Sequence, residues 1–345
     1  MIKVGIIGCG GMSVFHIGGY QYAGAEIAYV CDINEEAAKS VAAKYGAKYT
    51  TDYKTLLADP EIEMVSVLVF SRMHKEICLA AIAAGKAIIC EKTLAPNPED
   101  AEEIAVAVEK AGTFFVTAYM KRFFPASQKA KELLGSMGRI ISVYARSWQP
   151  AGDLWTVPID DTANFGNDVF DKYSGGVLVC GGSHILDLIH WFAGKPLTVS
   201  GQMYAREGTN LDIQANAMFR TESGALVHFE TCWHPLAFAG YERNGWDERI
   251  EINTVTGRLD LYTVMWSQPE HNGALLVHQD AATGVTTEYR YPALNPFHIE
   301  IAENIRRYQA GEPGTPSVRD GVTVDRIISE IAKSDKEMST RKMEW

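Results

Sequence analysis

The sequence predicts a two-domain α/β protein: a doubly wound parallel sheet in the first third, then a second α/β domain on an antiparallel or mixed sheet. Three observations carry this. Short apolar runs alternate with helix-patterned segments up to about residue 123. The pattern then changes, and from 196 to 292 the chain reads as strands joined by turns. A chain of 345 residues also exceeds one compact core, for which about 150 residues is the usual scale.

The elements follow in order. Strands are predicted at Val4–Ile7, Glu26–Cys31, Met64–Phe70, Ala87–Cys90 and Phe114–Ala118. They are apolar on both sides, as suits strands covered on two faces. Helical spacing lies between them at Glu35–Tyr45, His74–Ala84 and Pro98–Ala111, the last opened by Asn97-Pro98 and stopped by Gly112. A helix at Ala126–Leu134 and a strand at Arg139–Arg146 come next. The stretch 149–173 is rich in Trp, Asp, Asn and Pro and has no clear period. Strands then recur at Leu197–Tyr204, Ile213–Arg220, Leu226–Cys232, Ile250–Asn253, Arg258–Tyr262, Ala274–His278 and Thr286–Tyr291, punctuated by Thr256-Gly257 and Thr283-Gly284. Helices near Phe297–Gln309 and Asp320–Lys336 close the chain. The expected division is 1–122 and 123–345, with the last helices free to pack back on the first domain.

Composition narrows the partners. Apolar residues make up 47% and charged residues 22%, which excludes disorder over most of the length. Thirty-two basic against 43 acidic residues leave a net charge of −11, with no basic run to offset it, so neither nucleic acid nor an anionic membrane is expected. No apolar run is long enough to span a bilayer. Cys9, Cys31, Cys78, Cys90, Cys180 and Cys232 form no CxxC pair and no metal-ligand cluster, and several sit in strand-like runs. A reduced, cytoplasmic, soluble protein without a metal is the expectation.

The first chemical signal is Gly8-Cys9-Gly10-Gly11-Met12-Ser13, directly after the first strand and opening a helix. Gly8 suits a tight turn, and Gly10 lets a pyrophosphate approach the backbone. The helix start at Gly11 and Met12 then offers unpaired N–H groups and partial positive charge. Ser13 takes the third small position. Asp32 ends the second strand, 24 residues after Gly8, where an acid holds a ribose 2′-hydroxyl. That carboxylate would repel a 2′-phosphate, and no Arg follows in Ile33-Asn34-Glu35, so NAD is favoured over NADP. Gly18 and Gly19 cost about 1 kcal/mol each inside a helix and imply either a short helix or close backbone packing.

Glu91-Lys92-Thr93-Leu94-Ala95 resembles the Glu-Lys-Pro motif of the glucose–fructose oxidoreductase and inositol dehydrogenase family (Gfo/Idh/MocA). His74-Lys75-Glu76 to Gly85-Lys86 is similar to that family's preceding helix, and Tyr119-Met120-Lys121-Arg122-Phe123 to its turn into the second domain. Gly175-Gly176-Val177-Leu178 through His184-Ile185-Leu186-Asp187 resembles its active-site helix. Gly245-Trp246-Asp247-Glu248-Arg249-Ile250-Glu251 is similar to a segment of the inositol dehydrogenase branch. The resemblance covers nearly the whole chain. It implies a Rossmann domain, a second domain on an open mixed sheet often used for homodimer or homotetramer contacts, and chemistry in a cleft between them.

Carried over by position, the motif lysine that binds the substrate hydroxyl is Lys92 and the active-site histidine is His184; Cys180 stands where the family has an acid. Thr93 replaces the motif's proline, and Val69-Phe70-Ser71 departs from the usual Thr-Pro-Asn. Ser71, His74 and Glu91 complete the expected cofactor set. Physically, oxidising a secondary alcohol releases a hydride to the nicotinamide and a proton to a base, and histidine has a suitable pKa. A strand-end lysine beside the cofactor can stabilise a developing alkoxide. Residues 180, 184 and 187 are spaced i, i+4, i+7 and so share one helix face; Asp187 could orient His184 at the i+3 spacing, while a surface or capping role is equally open. His190 and His16 read as structural.

The stretch 149–173 places Trp155, Phe165, Phe170 and Tyr173 among Asp153, Asp160, Asp161, Asn164, Asn167 and Asp168. Aromatic faces with polar acceptors suit a polyhydroxylated ring. Met120, Lys121, Arg122, Trp155, Cys180, Asp187 and Trp246 are the expected substrate contacts, with Trp233-His234 as further wall. The leading expectation is an NAD-dependent sugar or cyclitol dehydrogenase. The alternatives are a glycoside-processing enzyme with tightly held, recycling NAD, and a non-catalytic NAD- or sugar-sensing protein.

Overall fold

The structure is a computed structural model that describes residues 1–151, 154–155, 175–207, 209–266, 268 and 273–345. It divides into two units: residues 1–120 with 296–325, and residues 121–295 with 326–345.

The first unit carries β1 (Lys3–Ile7), α1 (Ser13–Tyr22), β2 (Glu26–Cys31), α2 (Glu35–Tyr45), β3 (Lys48–Thr50), α3 (Tyr53–Leu57) and β4 (Met64–Val67). Then follow α4 (His74–Ala83), β5 (Ala87–Glu91), α5 (Pro98–Ala111) and β6 (Phe115–Ala118). All neighbours in the six-stranded sheet are parallel, in the order β3-β2-β1-β4-β5-β6. Order reverses between β1 and β4, which opens a crevice at the strands' carboxyl ends. Burial agrees: β4, β5 and β6 are buried along their whole length. The helix signals act as expected, with Asn97 Oδ1 capping the N–H of Asp100 at 2.8 Å and Gly112 closing α5 at φ 64°. The short β3 and α3 were not anticipated, although Asp52, whose carboxylate accepts the Lys54 N–H at 3.0 Å, was a readable cap.

One expectation changes here, and one open alternative is decided. The third predicted strand stops at Val67, not Phe70, and a 3₁₀ turn at Ser71–Met73 follows. The Leu68 carbonyl oxygen sits only 2.6 Å from where a Gly8 Cβ would be, so the chain leaves the sheet against the glycine turn. Gly18 and Gly19 are explained by a helix formed from residues 296–310. A Cβ at Gly19 would lie 2.7 Å from Ile301 Cγ1 and 3.0 Å from the Phe297 carbonyl; one at Gly18 would meet only the ring of His298.

The second unit carries α6 (Pro125–Leu134), β7 (Ile140–Pro150), a π-helical turn at Leu178–Gly182, α7 (Ser183–Ala193), β8 (Pro196–Ala205), β9 (Asp212–Thr221) and β10 (Leu226–His234). Next come β11 (Asp247–Thr254), β12 (Gly257–Thr263), β13 (Leu275–Asp280) and β14 (Thr286–Arg290). After them run α8 (Pro296–Ala310), which belongs to the first unit, α9 (Val318–Glu337) and the edge strand β15 (Arg341–Lys342). The division between units falls within α9, after Asp325. The nine-stranded sheet runs β14-β13-β12-β11-β7-β10-β9-β8-β15. Only β7 and β10 pair in parallel among these strands, so the sheet is mixed and largely antiparallel. Period-two burial along β7, β9 and β11 sends one set of side chains inward and the other outward. All six cysteines are free thiols. Among the described residues no helix is long and apolar enough to cross a membrane.

Candidate active site

In the first unit, every predicted residue stands at or just beyond the carboxyl end of a parallel strand, apart from His74, which opens α4. Gly8–Met12 follow β1, Asp32 follows β2, Ser71 follows β4, Glu91 and Lys92 end β5, and Met120 follows β6. Gly8 has φ 103° and donates its N–H to the Cys31 carbonyl at 2.8 Å, so glycine is required by conformation as well as by the neighbouring Leu68 backbone. A Cβ at Gly10 or Gly11 would meet nothing within 4 Å, so the protein's own packing does not demand glycine there. What glycine preserves is an approachable backbone. The Ser13 hydroxyl donates to the Gly10 carbonyl at 2.7 Å, which closes the loop onto α1. α1 begins without a side-chain cap and without an acid in its first turn, leaving its positive end for an anion.

Asp32 Oδ2 accepts the Cys9 N–H at 2.7 Å and Oδ1 accepts the Asn34 N–H at 2.8 Å. Each oxygen keeps a further lone pair for a hydroxyl. Glycine cradle, uncapped helix start and oriented acid together fit a dinucleotide.

Glu91 is buried. Its Oε1 accepts from His16 Nε2 at 3.1 Å and its Oε2 accepts the Lys92 N–H at 3.0 Å. Ser66 then bonds His16 Nδ1 at 3.1 Å, and Tyr20 bonds Ser66 at 2.7 Å. Glu91, His16, Ser66 and Tyr20 are thus hydrogen-bonded from end to end in one buried chain. Burial works to raise the Glu91 carboxyl, but the His16 contact and Lys92 outweigh it and hold it below the usual carboxylate range. Glu91 thus braces the base of Lys92. His74 differs from expectation: it is fully buried, with Nδ1 3.0 Å from the Thr93 carbonyl and Nε2 2.9 Å from that of Val69. Both ring nitrogens face backbone oxygens, so its place is inside the turn, supporting it. Burial lowers its pKa.

In the second unit, Cys180 lies in the π-helical turn and His184 is the second residue of α7. The wider π turn changes the phase between them, so the regular spacing expected of 180, 184 and 187 is broken at its first step. Glycines made this readable in part. Gly176 sits against Asp212, Gly181 against the Gln149 side chain and Gly182 against Phe229 and Thr231, so the segment lies flat on the sheet. Asp212 Oδ2 accepts the Leu178 N–H at 2.8 Å and anchors its start. Cys180 packs at the edge of an apolar cluster of Leu154, Val177, Leu211, Ile213 and Trp233.

Lys121, Arg122 and Asp187 are not solvent-facing contacts. Lys121 is fully buried and paired with Glu248, which also accepts from Ser147 (2.9 Å), Gln149 (3.1 Å) and Thr263 (2.6 Å). Arg122 binds Asp187 in bidentate fashion at 2.8 and 2.6 Å, and both are buried. The acidic partners of these cations lie 127 and 65 residues away in the chain, so the local sequence points them to hydroxyls instead. Trp246 is buried with the Lys121 ammonium 5.4 Å from its ring centre. Trp155 is partly exposed, donates to the Trp233 carbonyl and stacks on Tyr204 at 5.2 Å. His234 is buried, with Nε2 2.9 Å from the Gly245 carbonyl. Asp153, Asp160, Asp161, Asn164, Phe165, Asn167, Asp168, Phe170 and Tyr173 lie outside the described residues.

Residues 2–119 match an oxidoreductase family with an NAD-binding Rossmann fold, and residues 127–260 match the Gfo/Idh/MocA C-terminal domain. Inositol 2-dehydrogenase 2 of Saccharopolyspora erythraea is 30% identical over 275 residues, which cover 76% of this chain and 73% of that protein. Myo-inositol 2-dehydrogenase of Thermotoga maritima is 24% identical over 357 residues, covering 99% of each. Among solved structures, levoglucosan dehydrogenase in complex with NADH and levoglucosan shares the fold, with a TM-score of 0.85 at 22% identity over 100% of both chains. With matches across both the nucleotide-binding and the C-terminal parts, the chain belongs to the Gfo/Idh/MocA family of NAD-binding oxidoreductases.

Proposed function

We propose that the protein is an NAD-dependent dehydrogenase that oxidises a secondary alcohol of a cyclitol, sugar or sugar derivative, with Lys92 and His184 at the reacting carbon. The observation that carries this is the alignment of the Gly8 turn, Asp32 and Lys92 along the carboxyl ends of one parallel sheet. Relatives named as inositol 2-dehydrogenases support a polyhydroxylated substrate.

When bound, NAD supplies the hydride acceptor. The Lys92 ammonium donates a hydrogen bond to the alcohol oxygen and stabilises the negative charge that grows there. His184 takes the hydroxyl proton. Glu91, held by His16, fixes the Lys92 backbone N–H. Lys121 and Arg122 act on the substrate's surroundings through Glu248 and Asp187, while Trp155, Trp246, Met120 and Cys180 supply wall. The Asp32 carboxylate favours NAD over NADP by binding the ribose hydroxyls and repelling a 2′-phosphate.

The protein is further proposed to work in the cytoplasm as a homodimer or homotetramer. The outward face of the second sheet supports self-association: it holds a groove of about 790 Å³ lined by residues that include Tyr144, Arg146, Met218, His228 and Arg249. None of the proposed site residues lines that groove.

The test is purified protein with NAD⁺ against inositols, aldoses, sugar acids, levoglucosan and simple glycosides, followed by NADH absorbance. Accumulating NADH with one class supports the reading. Aglycone release without net NADH replaces it by internal cofactor recycling, and NAD⁺ binding without any conversion replaces it by a sensor.

A further inference from the structure

Asp325, on α9 and in the first unit, is a buried acid that the chemistry above does not use. Its Oδ2 accepts the Ala95 N–H at 2.8 Å, and the neighbouring Leu94 amide also favours the charged carboxylate. Oδ1 is buried without a hydrogen-bond partner among the described residues. Burial pushes the carboxyl well above the usual carboxylate range, against the pull of these amides and of the Lys92 charge.

The docking of α9 shows that this placement is built. Gly321, four residues earlier on the same helix face, is so close to the turn that a Cβ would lie 3.0 Å from Leu94 Cδ2 and 2.7 Å from Thr117 Oγ1. Just before the helix, the Pro316 carbonyl accepts the Thr117 N–H at 3.0 Å. An apolar residue at 325 would serve packing alone, without the desolvation that a carboxyl costs. The acid instead reaches the amides immediately after Lys92 and Thr93, while His74 approaches the Thr93 and Leu94 carbonyls.

We propose that Asp325 is a positioning residue for Lys92: by accepting the Ala95 amide hydrogen, beside the Leu94 amide, it fixes the turn from which Lys92 projects. This rests on the role given to Lys92 above.

The experiment compares full-length Asp325→Asn and Asp325→Leu. Asn keeps an acceptor oxygen in the same shape, and it is isosteric with the neutral acid; Leu removes the acceptor. In Asp325→Leu, hydrogen exchange at the Leu94 and Ala95 amides is expected to speed up. Its kcat on myo-inositol should fall by roughly ten- to hundredfold, the scale of a sub-ångström to ångström misplacement, with NAD⁺ affinity unchanged. Asp325→Asn should restore both. Unchanged exchange in Asp325→Leu overturns the proposal whatever the turnover, and so does faster exchange with unchanged kcat. If Asp325→Leu does not fold, Asp325→Ala carries the same expectations. Full turnover by Lys92→Ala would instead remove the Lys92 role, and the exchange result would still stand for the turn.

Discussion

Asp32 Oδ2 accepts the backbone N–H of Cys9 at 2.7 Å, which ties the acid at the end of β2 to the glycine turn after β1. The contact explains why motif and acid occur together: the carboxylate that would hold the ribose is oriented by the loop that would hold the pyrophosphate. Losing it disturbs both at once.

Asp32→Ala should therefore weaken NAD⁺ binding by roughly ten- to hundredfold, the value of hydrogen bonds to a charged group. NADP⁺ binding should weaken less or improve. Fluorescence titration with both dinucleotides decides it, and an equal loss for the two would remove Asp32 as the discriminating group.

The two adjacent glycines of α1 should respond with opposite signs. Gly19→Ala places a Cβ 2.8 Å from Ile301 Cβ and 3.0 Å from a backbone oxygen, neither of which can swing away. A net loss of about 1–3 kcal/mol is expected despite the better helix propensity of alanine. Gly18→Ala meets only the far end of the partly exposed His298 ring, so it should be neutral or gain up to about 1 kcal/mol. Urea unfolding of the two variants measures the contrast.

Breaking the buried Arg122–Asp187 pair should be costly. Asp187→Ala removes the bidentate carboxylate partner of a buried guanidinium and should lose roughly 3–5 kcal/mol of stability. Replacing both residues by apolar ones of similar volume should cost far less than either single change. A double-mutant cycle by denaturant unfolding reads the coupling directly.

Acid should weaken the fold partly through His74. Its folded pKa lies below the ordinary 6.5 because it is buried, so the unfolded chain binds more protons and stability falls as pH drops through that value. The slope from this one group is at most about 1.4 kcal/mol per pH unit. Burial lowers His234 in the same direction, so a residual slope remains without His74. Melting temperatures of wild type and His74→Gln across this range should diverge, with the variant flatter.

What the sequence made legible was local. The strand, glycine turn, helix and acid from Lys3 to Asp32 are read from period, turn chemistry and spacing, and each of those signals lies within a few residues of its effect. The Asn97 and Gly112 caps are legible for the same reason. What stayed hidden depends on distant partners. Nothing near Gly19 announces Ile301, nothing near Arg122 announces Asp187, and nothing near Lys92 announces Asp325. The π turn at Leu178–Gly182 hides differently, because one extra residue in a helix leaves apolar content unchanged; the Gly181-Gly182 pair was its only local trace.

The catalytic role of Lys92 is read by the initial rate of NADH formation from myo-inositol and NAD⁺ in wild type and Lys92→Ala, with NAD⁺ affinity measured on the same samples. Wild type is expected to sustain NADH formation and the variant to lose roughly 10²–10³-fold in kcat, the scale of removing one charge-stabilising donor, with cofactor affinity retained. Undiminished turnover by a folded, NAD⁺-binding Lys92→Ala protein would contradict that role.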